Sequence, residues 1–212
     1  MREVEMTIKN KKLVFGFGVN DADYVIEPML NGKQVRCLFY RTWTSMLRRC
    51  YSEAHLKKYP TYIGCSVCDE WLTFSNFKKW METKDFEGKH LDKDLKVLGN
   101  KVYSLNTCMF VSPAINKLLN DHAAKMGLYP QGVYFFKGRE KYRAQIRFKG
   151  KSKHLGLYTT IKAAELAYLT AKHEIVKQAA KDETDKEVSA ALYMQAKLIL
   201  DKHNTLKQGS DY

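Results

Sequence analysis

Lys141-Tyr142-Arg143-Ala144-Gln145-Ile146-Arg147-Phe148 is the stretch on which the fold turns. Tyr142, Ala144, Ile146 and Phe148 alternate with Lys141, Arg143, Gln145 and Arg147, the period of two that marks a strand packed on one face and wet on the other. Gly132–Phe136 upstream and Ser152–Tyr158 downstream read as its partner strands, joined by turns containing Gly138 and Lys149-Gly150-Lys151. A helix is expected from Thr160 or Ile161 to about Ala180, with Ile161, Ala164, Leu166, Ala167, Tyr168, Ala171 and Ile175 on its apolar side. Three strands and an amphipathic helix predict a three-stranded antiparallel sheet packed on a helix. Tyr129-Pro130-Gln131-Gly132 punctuates the chain before this unit and the charged break Lys181–Asp185 follows it, so a domain is expected over residues 129–181. Val188, Leu192, Ala196 and Ile199 are at helical spacing within Lys186–His203, which places a C-terminal helix and a frayed tail in residues 182–212.

Charge gathers in the same region. The 212 residues hold 36 Lys and Arg against 23 Asp and Glu, a net charge of +13. Twelve of the cations fall between Pro130 and Lys181, against Glu140, Glu165 and Glu174, so nine of the thirteen excess charges sit there. With 45% hydrophobic residues the chain can bury a core, which excludes wholesale disorder. No run of ~18 apolar residues exists, so no membrane span or membrane partner is expected. The start, Met1-Arg2-Glu3-Val4-Glu5, lacks the apolar stretch of a secretory signal, and five cysteines, an odd number, suit a reducing cytoplasm better than a disulfide framework. A polyanion is the expected partner. A twisted two- or three-stranded sheet fits the major groove of a duplex, where Arg reads guanine edges and Gln reads adenine. The competing reading is a solvated face whose cations keep the protein soluble; Glu140 alone as a nearby counter-charge favours contact with nucleic acid.

Residues 1–128 read as a separate N-terminal domain. Lys12–Phe17 is a short apolar run broken by Gly16 and Gly18. Tyr24–Leu30 and Lys33–Phe39 flank Asn31-Gly32, the strongest two-residue hairpin signal, with Pro28 confining the first strand to an edge. Arg41–Tyr51 switches to helical period through Trp43, Met46, Leu47, Cys50 and Tyr51. A second helix is expected over Ser75–Thr83, with Ser75 as its N-cap and Phe77, Trp80 and Met81 as its apolar face. His90–Leu95 reads as a strand, Gly99-Asn100 as a loop and Thr107–Val111 as another strand. Ser112 caps a helix that opens on Pro113 and runs Ala114–Asn120, so a ββα unit is expected near residues 90–120. The fold class expected is therefore α+β: an N-terminal hairpin and helical region with a ββα unit, the three-stranded sheet on its helix, and the C-terminal helix.

Four segments carry a resemblance in order. Tyr129-Pro130-Gln131-Gly132-Val133-Tyr134, Tyr142-Arg143-Ala144-Gln145-Ile146-Arg147, His154-Leu155-Gly156-Leu157-Tyr158-Thr159-Thr160 and Ala163-Ala164-Glu165-Leu166-Ala167-Tyr168 resemble the plant ethylene-response-factor type DNA-binding domain, the Apetala-two fold. The resemblance covers about 45 residues and implies a sheet that reads the major groove of double-stranded DNA. With the turn lysines of the basic sheet, it points to Tyr134, Arg139, Lys141, Arg143, Gln145, Arg147, Lys149, Lys151 and Lys153 as DNA contacts. Tyr134 and Phe136 stand where that family usually has arginines, which leaves the base preference open.

The ββα segment resembles a second family. Leu91-Asp92-Lys93-Asp94 and Thr107-Cys108-Met109-Phe110-Val111-Ser112-Pro113-Ala114-Ile115-Asn116 are similar to the HNH nuclease motif, in which an Asp and a helix Asn hold a divalent metal and a strand His activates water. That implies Mg²⁺ or Mn²⁺ on Asp92 and Asn116. Lys93 stands at the position of the base, and Asp94 or His90 is the substitute within reach in sequence. A Lys with an ordinary pKa of ~10.4 is protonated at neutral pH and makes a poor base. Taken alone, an Asp and an Asn beside a turn read equally well as caps. The pairing of the two modules, with Tyr40–Tyr51, Val67–Phe77 and Leu91–Asp94, resembles phage-encoded homing-endonuclease-like proteins. It implies a DNA-cutting or nicking protein in the cytoplasm of an infected bacterium. The alternative is a non-catalytic DNA-binding regulator or counter-defence protein that keeps a degenerate nuclease scaffold.

Two further signals are weaker. Cys65 and Cys68 have CxxC spacing, and Cys37, Cys50 or Cys108 could complete a Zn²⁺ site, but without a second CxxC or HxxxH small buried thiols are the favoured reading. Trp43, Trp71, Trp80, Phe74 and Phe77 could stack on bases, yet their helical spacing favours core packing. Arg41, Arg48 and Arg49 form a second basic cluster that grips phosphates or faces water.

Overall fold

The computed structural model describes residues 13–120 and 128–209. Along the chain run β1 (Met29–Leu30), β2 (Lys33–Gln34), α1 (Leu38–Tyr51), α2 (Glu53–Lys58), β3 (Ser66–Val67), α3 (Asp69–Leu72), α4 (Phe74–Glu82), β4 (His90–Asp92) and β5 (Val102–Tyr103). There follow β6 (Met109–Val111), α5 (Pro113–Leu119), β7 (Val133–Phe136), β8 (Lys141–Phe148), β9 (Lys151–Tyr158), α6 (Ile161–Asp182) and α7 (Lys186–Gln208). The fold is α+β, as expected. No helix among the described residues is long and apolar enough to cross a membrane. The chain divides into two compact units, which do not part at Tyr129: one holds residues 13–87 and 96–109, the other 88–95 and the described residues from 110 onward. Residues 129–181 all fall in the second unit, where Gln195 of α7 donates to the Leu95 carbonyl at 3.0 Å.

In the first unit, the period of α1 does what its sequence dictates: Trp43, Met46, Leu47 and Cys50 are buried. The Trp43 indole N–H donates to the Trp71 carbonyl at 2.7 Å, so the largest core side chain is also polar-satisfied. Phe74, Phe77 and Met81 bury the inner face of α4, and Trp80 lies tilted against Trp71 with ring centroids 4.4 Å apart. Trp43 and Trp71 are core, and Trp80 is half-buried beside them. Ser75 is not the N-cap of α4. Thr73 holds that position, and the Asp21 carboxylate reaches across to accept from the Ser75 backbone N–H (2.9 Å) and hydroxyl (2.6 Å). The hairpin at Asn31-Gly32 forms with both residues at positive φ, as a type I′ turn requires. Its ladder is shorter than expected, pairing Met29 with Gln34 and Leu30 with Lys33, because the chain after Cys37 winds into α1. The apolar run from Lys12 begins just outside the described residues.

In the second unit, β7, β8 and β9 form the antiparallel sheet in that order, and α6 packs on one side of it. Val133, Ala144 and Ala164 make its innermost contacts, with Tyr129, Tyr142, Leu155, Tyr158 and Ala167 around them. The alanines at 144 and 164 let strand and helix approach closely. Thr160 caps α6 by accepting from the Ala163 N–H, and Asp185 caps α7 by accepting from Glu187 and Val188. The buried stripe of α6 is Ala164, Tyr168, Leu169, Lys172, Val176 and Ala180. Lys172, counted among the basic residues, is therefore inside, its ammonium donating to the Gln131 side chain at 3.1 Å. Helix α7 runs on to Gln208, beyond the expected end at His203; the three residues after Gly209 lie outside the described residues. β4 pairs with β6, and α5 follows with Ser112 as its cap, accepting from the Ile115 N–H at 3.3 Å.

Candidate nucleic-acid interface

β8 is the middle strand, so its polar alternation decides what the open face of the sheet displays. Register pairs Tyr134 with Arg143 and Phe136 with Lys141 on one side, and Arg143 with Leu157, Gln145 with His154 and Arg147 with Ser152 on the other. Cross-strand partners share a face. The face away from α6 is thus built from Tyr134, Phe136, Lys141, Arg143, Gln145, Arg147, Ser152, His154 and Leu157. Among the described residues none of Lys141, Arg143 and Arg147 is in an ion pair, so their charge is available to a ligand.

Geometry within this face is specific. The Arg143 guanidinium lies over the Phe136 ring, 4.7 Å from its centroid, and its Nε is shielded from solvent with no hydrogen-bond partner among the described residues. The Gln145 amide nitrogen donates to the Ser152 hydroxyl at 2.8 Å, which holds that side chain against the neighbouring strand. Tyr134 stands 57% exposed beside them.

A bulge at Leu155 sorts the remaining cations. Pairing runs regularly from Tyr142–Tyr158 to Ala144–Gly156 and then shifts by one residue, so that Gln145 faces His154 and Leu155 is the extra residue. A one-residue shift exchanges the faces of everything beyond it. Ser152 and His154 join the Arg143 face, whereas Lys151 and Lys153 pair with Phe148 and Ile146 and lie on the helix side. Lys151 and Lys153 are exposed there, but the structure does not bring them together with Arg143, Gln145 and Arg147. Lys149 sits in the turn beside the Phe148 ring, and Arg139 in the exposed turn between β7 and β8. His154 and Phe136 are face residues that alternation along β8 alone does not reveal. The signal for the bulge was present: Gly156, an interior strand glycine, adopts a φ of +141°.

No protein-family model matches the chain, and neither does any curated protein or solved structure. The two resemblances rest on their motifs alone.

The residues expected to hold a metal are arranged differently from the sheet. Asp92 Oδ1 accepts from the backbone N–H groups of Asp94 (2.8 Å) and Leu95 (2.6 Å), closing the turn after β4. Burial pushes the Asp92 carboxyl above the ordinary carboxylate range, with those two N–H groups pulling the other way. Asn116 Oδ1 accepts from Asn120 at 2.7 Å, and its amide nitrogen faces His90 Nδ1 at 3.4 Å. Lys93 is 6% exposed and pairs with Asp94 at 2.6 Å. Among the described residues no three His, Cys, Asp or Glu side chains gather as a metal-ligating group. Cys65 and Cys68 flank β3; Cys65 is buried, and burial raises the Cys68 thiol above its usual range.

Proposed function

We propose that this protein binds double-stranded DNA through the open face of β7, β8 and β9, with Arg143, Gln145 and Arg147 directed at base edges and Lys141 and Arg139 at phosphates. One observation carries the reading: Arg143 is held over Phe136 on the open face, without an ion pair among the described residues. A guanidinium restrained in this way and left without a carboxylate partner offers its charge to a guanine edge or a phosphate oxygen. The excess of positive charge between Pro130 and Lys181 supports the same reading, since phosphate neutralisation supplies most of the affinity for DNA.

Cleavage is the less supported half of the resemblance. A divalent cation such as Mg²⁺ takes hard oxygen ligands in near-octahedral array. Asp92 Oδ1 and Asn116 Oδ1 are engaged within the protein, and burial raises the Asp92 carboxyl above the ordinary carboxylate range. Lys93 is buried with its ammonium donating to Asp94, which speaks against a base at that position. As arranged, this donor set does not fit the metal, and the reading favoured is a DNA-binding protein in which the segment around β4, β6 and α5 is scaffold. The experiment is selection of a site from a randomised duplex pool, followed by incubation of that duplex and of supercoiled plasmid with Mg²⁺ or Mn²⁺. Expected are retained duplexes and intact plasmid. Metal-dependent nicking abolished by Asp92→Ala restores the nuclease reading, and failure to retain any duplex at low salt removes the DNA-binding one.

A further inference from the structure

The first unit carries a second surface that the sheet does not account for. At its centre are the end of α1, the helix α2 and the turn that follows. His55 lies against Tyr59 with ring centroids 4.7 Å apart and against Tyr62 at 5.5 Å. Lys58 stands 5.4 Å from the Tyr59 centroid, and Arg49 6.0 Å from that of Tyr62. Arg48 and Lys57 are exposed on the same two helices, and Lys101 is fixed nearby by donating to the Thr61 carbonyl at 2.8 Å. Against these cations α2 sets one carboxylate, Glu53, at its opposite end.

Two details distinguish this surface from an ordinary solvated helix face. His55 Nε2 is shielded from solvent and finds no hydrogen-bond partner among the described residues; Arg143 Nε is the other side-chain nitrogen in that state. Burial first, then the charges of Arg48, Arg49 and Lys58, holds the His55 imidazole below its usual pKa, so the ring adds no charge of its own at pH 7. Tyr59 meanwhile leaves 41% of its surface in water, a ring presented among cations. Exposed aromatic faces interleaved with Lys and Arg are what an unpaired base and its flanking phosphates need, whereas a duplex keeps its base faces stacked away.

We infer that the α1–α2 surface of the first unit is a single-stranded nucleic-acid site: Tyr59 stacks on an unpaired base, and Arg48, Lys57 and Lys58 hold the flanking phosphates. The inference uses none of the sheet residues and stands whether or not the sheet binds duplex. An acidic peptide is the rival occupant, matching the charge but not the exposed ring.

The test is fluorescence anisotropy of the full chain with labelled dT20, U20, a mixed-sequence duplex and a poly-glutamate peptide at low salt. Expected is binding of dT20 or U20 that weakens about ten-fold in Tyr59→Ala and in Lys57→Glu/Lys58→Glu, is retained in Tyr59→Phe, and is unchanged in Arg143→Ala. The two oligonucleotides distinguish DNA from RNA. Tyr59 is on the surface, so Tyr59→Ala should keep the parent circular dichroism spectrum and Tm. Poly-glutamate binding as tight as dT20 and indifferent to Tyr59→Ala overturns the inference, as does single-strand affinity unmoved in both variants.

Discussion

The guanidinium of Arg143 rests 4.7 Å from the ring centroid of Phe136, across the pairing of β7 with β8. The ring replaces water beside the cation and restrains it before a ligand arrives. A cation–π contact of this kind contributes ~0.5–1 kcal/mol where solvent has access and more where it does not. Phe136→Ala is therefore expected to weaken duplex binding by about 1 kcal/mol through loss of preorganisation, while Phe136→Tyr leaves it nearly intact. Anisotropy titrations of the two variants against the same duplex check this.

Arg143→Ala and Arg147→Ala should each weaken binding to the selected duplex by ~1–3 kcal/mol and relax sequence preference at the base read. Arg139→Ala should instead weaken all duplexes alike and reduce the slope of log K against log salt by about 1. Equal effects of these three substitutions on specific and random DNA would show that the face grips phosphates without reading bases.

Lys151→Ala and Lys153→Ala separate the register from the charge count. Both residues lie on the helix side of the bulge at Leu155, so each substitution should change duplex affinity by less than Arg147→Ala does. Deleting Leu155 removes the extra residue and keeps Gln145 opposite His154 and Arg147 opposite Ser152, so both faces stay as they are. That variant should retain duplex affinity, read by anisotropy beside a circular dichroism check of folding.

Gly132 precedes β7 at a φ of +77°, where an added Cβ would enter the Tyr168 ring and stand 2.8 Å from the Gln145 carbonyl oxygen. Gly132→Ala combines left-handed backbone cost, ~1–2 kcal/mol, with ~1–3 kcal/mol of overpacking. A loss of about 3 kcal/mol in urea unfolding is expected, with the sheet parting from α6. A loss below about 1 kcal/mol would mean that Tyr168 swings aside freely.

Asp92 offers a pH-dependent test of its role. Burial raises its folded-state pKa above the unfolded value of ~3.9, so the folded protein binds that proton more tightly than the unfolded chain does. The ionised carboxylate accordingly costs stability above the raised pKa, and the cost disappears as pH falls through it toward ~3.9. Asp92→Asn keeps an oxygen for the Asp94 and Leu95 N–H groups and removes the charge. It should match the parent at low pH and exceed it at neutral pH. Asp92→Ala strands both donors and should lose ~1–2 kcal/mol at any pH. Stabilisation of the parent by millimolar Mg²⁺, absent from Asp92→Asn, would point to a metal ligand instead.

Much of the α+β architecture was legible because local patterns here agree with the packing. The alternation of Lys141–Phe148, the helical spacing of Trp43, Met46, Leu47 and Cys50, and the Ser112-Pro113 opening of α5 each report an element whose neighbours accept what its period demands. Where that agreement failed, a distant residue intervened. Asp21 supplies the carboxylate at the start of α4, 54 positions from Ser75, and Gln195 ties Leu95 to α7 across 100. No window of local sequence contains both partners of such a bond.

The cation-rich composition of residues 130–181 and the polar face of β8 were determined by the sequence, since a strand's two-residue period needs no partner to be defined. Which cations share that face was decided only by pairing. A single extra residue at Leu155 sends Lys151 and Lys153 to one side and His154 to the other, and register is a relation between strands. Asp92 divides between the two: the N–H groups of Asp94 and Leu95 that meet its Oδ1 lie two and three residues on, whereas its burial is supplied by the fold. Charge and period are local quantities that a chain carries unfolded; faces, partners and desolvation exist only once distant segments meet.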